Sequence, residues 1–459
     1  MTFVTQRYIF CYLAISCLAL FLRLYQLADI QQPVFDEVYF PQFAYQYIQQ
    51  KPFFHSHPPL AKYTMQGAIT LYHALPWVNE SALGSVEFNQ LNPLSYRWVN
   101  ALLGFLAAIL FSLSIWRLTN SHFVSCLLFA FVSLDGALIV ASRFGLSNVH
   151  ILFWGALSCY LAILSLQQKR WIYPVLLGIS LGCVICVKWS GLSYWAISLT
   201  LVVLLLLLKL FRIEIEAKTK LISLSNKRMT GGLLCLIVVP ALVYSALWIP
   251  DLKLNTKYNF VETHQAFFNY HKNTVTQDAH PYCSKWYTWP LMQRPVSYYF
   301  EKLPADSGKK ECFKNVHLFA NPILYWWSSL AILLVTAWSL LQIFSLIKLK
   351  LIGQPCVITQ PLFAAIFILC GYCACWLPWA LVSRCTFLYH YQSASVFSFM
   401  ALAALLTKLY QIDSKYTKVA VAIILLSIFV SFVYWLPVQL GIPLEKSAFY
   451  QRMWFSSWI

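Results

Sequence analysis

Charge is what this sequence has least of. Of 459 residues, only 11% are Asp, Glu, Lys or Arg, where a soluble domain carries about a quarter. That excludes an ordinary water-soluble globular protein. The formal net charge is nevertheless +17, from 33 Lys and Arg against 16 Asp and Glu. The excess base is not gathered into one stripe but broken into short tracts between apolar runs, which argues against a nucleic-acid partner. Internal repeats are also lacking. Transporters usually carry polar groups near the bilayer midplane on paired repeats, whereas the charges here concentrate toward one face. A purely structural scaffold would not need acids and bases on one rim.

What is present is apolar: 60% of the chain, with 17% aromatic residues and a mean hydropathy of +0.63. Apolar stretches of about 20 residues read as spanning helices. They fall near 8–27, 97–117, 122–141, 149–166, 171–188, 191–211, 229–249, 321–347, 360–382, 391–407 and 416–436. The expected fold class is an all-α polytopic membrane protein of about 11 spans, one transmembrane domain over 1–459. The first span is longer than a typical signal h-region and reads as a retained anchor. With a cytoplasmic N-terminus, the cytoplasmic loops collect Arg117, Lys169, Arg170, the run 209–228, Lys348, Lys350 and Lys408 to Lys418, as the positive-inside rule requires.

Two outer segments, 28–96 and 250–320, are too long to be turns, and long loops are often functional. In the first, Phe40, Phe43, Ala44, Tyr47 and Ile48 recur at helical spacing, and a second amphipathic stretch starts at Pro59. Both are expected to lie in the membrane interface. Nine of the ten histidines, all but His122, map to the outer side or to outer span ends. Any chemistry is therefore expected outside.

Most of the 14 cysteines lie inside apolar runs, where Cys behaves as a small hydrophobe. Cys283 and Cys312 share a polar outer loop and are the expected disulfide candidate. Cys370, Cys373 and Cys375 have ligand-like spacing but no histidines nearby, and structural zinc needs four assembled ligands.

Four constellations carry possible chemistry. Asp36 and Glu37 follow the first span directly; acids beside an apolar interface are functional by default. Asp36 is the expected base and Glu37 its neighbour holding adjacent groups, the alternative being a helix cap with a first-turn charge. His55-Ser56-His57-Pro58-Pro59-Leu60-Ala61-Lys62 offers two histidines before a helix start, which serve chemistry or simply an ordered turn. Arg97, Arg143, Lys188 and Arg384 sit at outer span ends, as snorkelling anchors or as a joint site for an anionic headgroup. Arg384 to Tyr391 places Tyr389 and His390 at the mouth of the tenth span, as an aromatic belt or as a phosphate-facing group.

Taken together, Phe35-Asp36-Glu37-Val38-Tyr39-Phe40, His57-Pro58-Pro59-Leu60-Ala61-Lys62 and the Arg384–Tyr391 segment resemble the protein O-mannosyltransferases. Further similar segments follow in order: Arg97, Ser142-Arg143-Phe144, Val187-Lys188-Trp189-Ser190-Gly191 and Trp286-Tyr287-Thr288-Trp289-Pro290-Leu291. The resemblance implies a GT-C fold and inverting transfer of mannose from polyprenyl-phosphate mannose to Ser or Thr of secreted or membrane proteins. It implies that Asp36 is catalytic and Arg97 essential, and that Arg143, Lys188, Arg384 and His390 serve the donor phosphate. His57, Lys62, Trp189, Tyr389, Trp286 and Trp289 would shape donor and acceptor. No cofactor is required by this chemistry, and a divalent metal is left open. One departure is Asn148, where relatives often carry Asp. The 250–320 loop is too short for a MIR domain, which favours a bacterial plasma-membrane member. The alternative enzyme is a GT-C transferase that moves a polyprenyl-linked sugar to a lipid or glycan, like the aminoarabinose transferases.

Overall fold

The computed structural model describes residues 3–78, 83–221, 226–273, 280–305 and 310–459. Parts of both outer loops and of the basic run 209–228 lie outside these. Each of the eleven apolar runs is helical. They are α1 (Phe3–Leu24), α4 (Leu94–Thr119), the pair α5 (His122–Leu134) and α6 (Gly136–Arg143), α7 (Asn148–Gln167) and α8 (Ile172–Val187). The second half holds α9 (Leu192–Leu210), α10 (Asn226–Leu254), α12 (Pro322–Leu351), α13 (Gln360–Trp376), α14 (Gln392–Gln411) and α15 (Lys415–Leu440). Among the described residues, nine helices are long and apolar enough to cross a membrane, ten with the bent pair.

That pair corrects the expectation of one straight span over 122–141. Asp135 interrupts the run, and α5 and α6 meet at a 56° bend. The Asp135 carboxylate accepts from Leu138 N at 3.1 Å, capping α6, and from Asn321 N at 3.0 Å at the start of α12. A short acid that satisfies free backbone N–H groups ends one helix and starts the next. α8, at 16 residues, is shorter than a span normally needs.

In packing order, α4, α7, α8 and α10 form one row, and α5 joins α4 to α14, which packs on α12 and α13. α8 meets α10 through Gly178 and Gly182, one turn apart. A Cβ at these positions would lie 2.5 Å from the Cys235 carbonyl oxygen and 2.7 Å from Val243 Cβ. Small residues at this spacing let apolar helices approach closely where lipid gives no hydrophobic drive.

The outer loops fold into structure of their own. The first holds α2 (Phe40–Gln49) and α3 (Leu60–His73), both too short to span. The second holds α11 (Phe260–Asn273) and the strands β2 (Val296–Leu303) and β3 (Cys312–Leu318). β3 is the centre of an antiparallel sheet in the order β2-β3-β5, with Val296 opposite Leu318, and β5 (Leu444–Glu445) and α16 (Lys446–Tyr450) come from beyond α15. At the opposite end of the helices, β1 (Glu214–Ile215) pairs in parallel with β4 (Val357–Ile358).

Candidate active site

The acidic pair lies on a 3-10 turn, Phe35–Val38, between α1 and α2. At three residues per turn, successive side chains point about 120° apart, so the two acids diverge even though the segment is not extended. Asp36 caps nothing: the N-cap of α2 is Tyr39, which removes the helix-cap alternative. Phe35 holds the turn at φ +53°, a left-handed conformation that a bulky residue adopts only under constraint. The constraint is visible: its ring stacks on Tyr298 of β2 at 4.5 Å and meets Tyr389 at 6.1 Å.

Glu37 points inward and is fully buried. Its Oε1 accepts from Arg97 Nε at 2.9 Å and from Gly145 N at 2.7 Å; its Oε2 accepts from Arg97 Nη2 at 2.7 Å and from Val34 N at 2.8 Å. Arg97 in turn donates to the carbonyls of Leu27, Ile30 and Gln32. All five guanidinium donors are used, so no group is left for a donor phosphate. Arg97 and Glu37 form a pin that fastens the 27–37 segment to α4: Glu37 holds neighbouring groups and takes no place beside Asp36 as a second catalytic acid, and Arg97 is used on Glu37 and the loop carbonyls in place of the phosphate contact expected for it. Arg143 is turned to the fold instead: its Nη1 donates to the carbonyls of Leu22 and Tyr25 at the C-terminal end of α1, while its buried Nε has no partner among the described residues. These two cations are far up the chain from their partners, and no local pattern announces the pairing.

Asp36 points the other way, is half-buried and has no side-chain hydrogen bond among the described residues. Burial pushes its carboxyl up to about 6, opposed by the positive charge of Lys188. Lys188 sits between α8 and α9, its ammonium without a hydrogen-bond or ion-pair partner among the described residues. It lines a small cavity with Asn148, Ser190, Tyr389, His390 and Gln392. Arg384 adds a second available guanidinium, whose one hydrogen bond among the described residues is a long 3.4 Å contact to the Cys385 carbonyl. His390 is held by its Nδ1 on the backbone of Phe387 and by rings, Trp379 at 4.2 Å and Trp289 at 5.9 Å. Of the expected phosphate group, Lys188, Arg384 and His390 are brought together; Arg97 and Arg143 are not.

His57 stacks on Phe40 at 6.0 Å and lies 5.2 Å from His55 and 5.3 Å from His271 of α11. Burial pushes both His55 and His57 well below the ordinary imidazole value, and neighbouring cations, Lys188 among them, add to the effect. Both effects favour the neutral imidazole. Among the described residues, no group of three His, Cys, Asp or Glu side chains is placed to hold a metal. Lys62, buried, donates to the His57 carbonyl at 3.0 Å.

The tryptophans are buttresses. Trp286 meets Trp376 at 4.8 Å and accepts on its carbonyl from that indole. Trp289, fully buried, donates to Ser284. Trp189 donates to Tyr244, whose hydroxyl lies 2.7 Å from His264 Nε2, which fastens α11 to the helix row.

The disulfide is Cys283–Cys385, with 5.3 Å between Cα atoms and 102 residues between them. The expected partner Cys312 is free, because β3 carries it into the sheet, where it stands opposite Glu445. The bridge is flanked by Ser284 N donating to Thr386 O and Thr386 Oγ1 donating to Ser284 O. It thus fixes the loop that carries Arg384. Cys283→Ser is expected to lower stability by roughly 2–4 kcal/mol and to weaken donor binding, while Cys312→Ser changes neither; thermal unfolding and labelled-donor retention read both.

Three residues of the site carry no local signal in the sequence: Asp251 on α10, Asn255 just beyond its end, and Tyr298 on β2. Each becomes part of the site through tertiary contact alone.

An all-helical membrane body with a structured outer face, a half-buried carboxylate and available cations defines a GT-C-type transferase. The S. cerevisiae protein O-mannosyltransferase Pmt1-Pmt2 complex, solved bound to the sugar donor, has the same fold: TM-score 0.78 at 16% identity, covering 100% of this chain and 93% of that one. A family model described as dolichyl-phosphate-mannose-protein mannosyltransferase matches residues 13–255, and one for the C-terminal four-transmembrane region of protein O-mannosyltransferases matches 256–458. The chain belongs to the protein O-mannosyltransferase family. It is 24% identical over 461 residues to a polyprenol-phosphate-mannose–protein mannosyltransferase of Corynebacterium glutamicum, covering 88% of this chain and 81% of that one. It is 22% identical over 504 residues to the enzyme of the same name from Mycobacterium tuberculosis, covering 95% and 89%.

Proposed function

We propose that this protein transfers mannose from polyprenyl-phosphate mannose to Ser or Thr hydroxyls of proteins, with inversion, on the extracytoplasmic face of a bacterial plasma membrane. The observation that carries this reading is Asp36: a carboxylate without a hydrogen bond among the described residues, facing the charge of Lys188. The acceptor hydroxyl loses its proton to Asp36 as it attacks the anomeric carbon. The phosphate leaves as a stable anion, so no second carboxyl is needed to protonate it, unlike in glycosidases. Lys188 and Arg384, with His390 beside them, stabilise the charge that builds on that phosphate. Glu37 and Arg97 act through Asp36 as positioning residues. No cofactor enters this scheme.

The disulfide supports the orientation, since Cys283–Cys385 borders the site and such bonds persist in oxidising compartments. Purified protein in nanodiscs, given radiolabelled polyprenyl-phosphate mannose and a Ser/Thr-rich peptide, tests the reading. The expected result is label on the peptide that is released by β-elimination; label on a lipid or glycan instead moves the protein to the aminoarabinose-transferase type. The pH profile has a definite sign. Asp36 must be ionised to accept a proton, so kcat/KM falls as pH drops through about 6, rather than near the ordinary aspartate value of about 3.9. A profile flat down to pH 5 removes Asp36 as the base.

A further inference from the structure

Beside His57, and lined by neither Lys188 nor Arg384, lies a second cavity, of about 360 Å³, between the 52–57 loop, α3, the end of α10 and α11. Two buried, opposite charges line it, Lys62 and Asp251, at 2% and 6% exposure. They attract each other but form no ion pair. Lys62 makes a single hydrogen bond, to His57 O. Asp251 Oδ1 accepts from Tyr47 and from Asn255, and Asn255 also holds Phe53 N at 2.7 Å. The Nδ1 of His55, which lines the same cavity, is buried without a partner. Burying two charges without pairing them is costly, and an ammonium with spare donors opposite a carboxylate is completed by a ligand that offers both an acceptor and a donor.

The cavity opens at exposed Thr256, Lys257 and Phe54, on the loop side rather than toward the helix row. A mannosyl group is tied to its phosphate, and the cations available to that phosphate, Lys188 and Arg384, line other cavities. The space beside Lys62 and Asp251 is left for the other substrate. We propose that it is the acceptor subsite, taking the polypeptide backbone beside the reactive hydroxyl: Lys62 donates to a peptide carbonyl, Asp251 accepts from a peptide N–H, and Phe54 and Phe267 cover the chain. This deepens the mannosyltransferase reading and rests on it.

The test is Asp251→Asn, which keeps an acceptor for Tyr47 and Asn255 but removes the charge. A second variant, Phe54→Ala, alters only the rim. In nanodiscs, the KM for the Ser/Thr peptide is expected to rise about tenfold or more in Asp251→Asn, the loss of one charge-assisted hydrogen bond. Phe54→Ala raises it less. Retention of radiolabelled polyprenyl-phosphate mannose, measured without peptide, stays at the wild-type level in both. Loss of donor retention instead assigns the cavity to the sugar, and unchanged peptide KM in both variants removes the subsite; either outcome overturns the proposal. Absence of transfer by the wild type would overturn the underlying reading, a result distinct from either.

Discussion

Replacing Asp36 by Asn lowers mannosyl transfer by about 10²–10⁴-fold, the range that loss of a general base produces, and leaves donor retention close to wild type. Asn has the same shape and cannot take the proton. The Asp36 carboxylate has no hydrogen bond among the described residues to lose, and its backbone carbonyl keeps the bond from Tyr39 N, so the fold has little reason to change. Its backbone is set by neighbours: Phe35 is stacked against Tyr298, and Glu37 is held by four hydrogen bonds. A kcat loss without a comparable change in donor affinity is the signature of an interaction made only in the transition state. Near-normal turnover in Asp36→Asn would falsify the assignment.

The second large effect is on stability. Arg97→Ala leaves the Glu37 carboxyl buried without its partner, and breaking a buried pair costs about 3–5 kcal/mol. The carbonyls of Leu27, Ile30 and Gln32 lose their donor at the same time. Thermal unfolding in nanodiscs should therefore show a large loss for the single variant. The double variant Arg97→Ala with Glu37→Ala should be less unstable than the two single losses added together, since the pair is coupled. Transfer falls in both, because the pin no longer fixes the turn that carries Asp36. If Arg97→Ala weakened donor binding while leaving stability intact, Arg97 would face phosphate after all. Gly145 is part of the same fastening: a Cβ there would lie 2.6 Å from Pro41 Cγ and 3.5 Å from Glu37 Oε1.

Much of the protein was legible in one dimension because its solvent is simple. In a bilayer every backbone polar group must be satisfied internally, so runs of about 20 apolar residues have one outcome. All eleven runs became helices. Asp36 beside Glu37, and Lys188, Arg384 and His390 at one rim, stood out because charge is scarce near lipid. The amphipathic spacing of Phe40 to Ile48 was likewise enough to mark α2.

Which cation faces the substrate was not legible. Arg97, Arg143, Lys188 and Arg384 are equivalent in sequence, each a lone base at a span end. Only the folded chain brings Glu37 and three loop carbonyls onto Arg97, and the end of α1 onto Arg143, leaving Lys188 and Arg384 available. The same holds for Cys283, whose partner is 102 residues away rather than in its own loop, and for Asp135, which read as part of one span and instead bends it. Local patterning sets where helices form, since that is a matter of each segment and its solvent. Pairing across 60 to 100 or more residues depends on how the helices pack, and it is this packing that decides which charges are used up in holding the fold and which remain for chemistry.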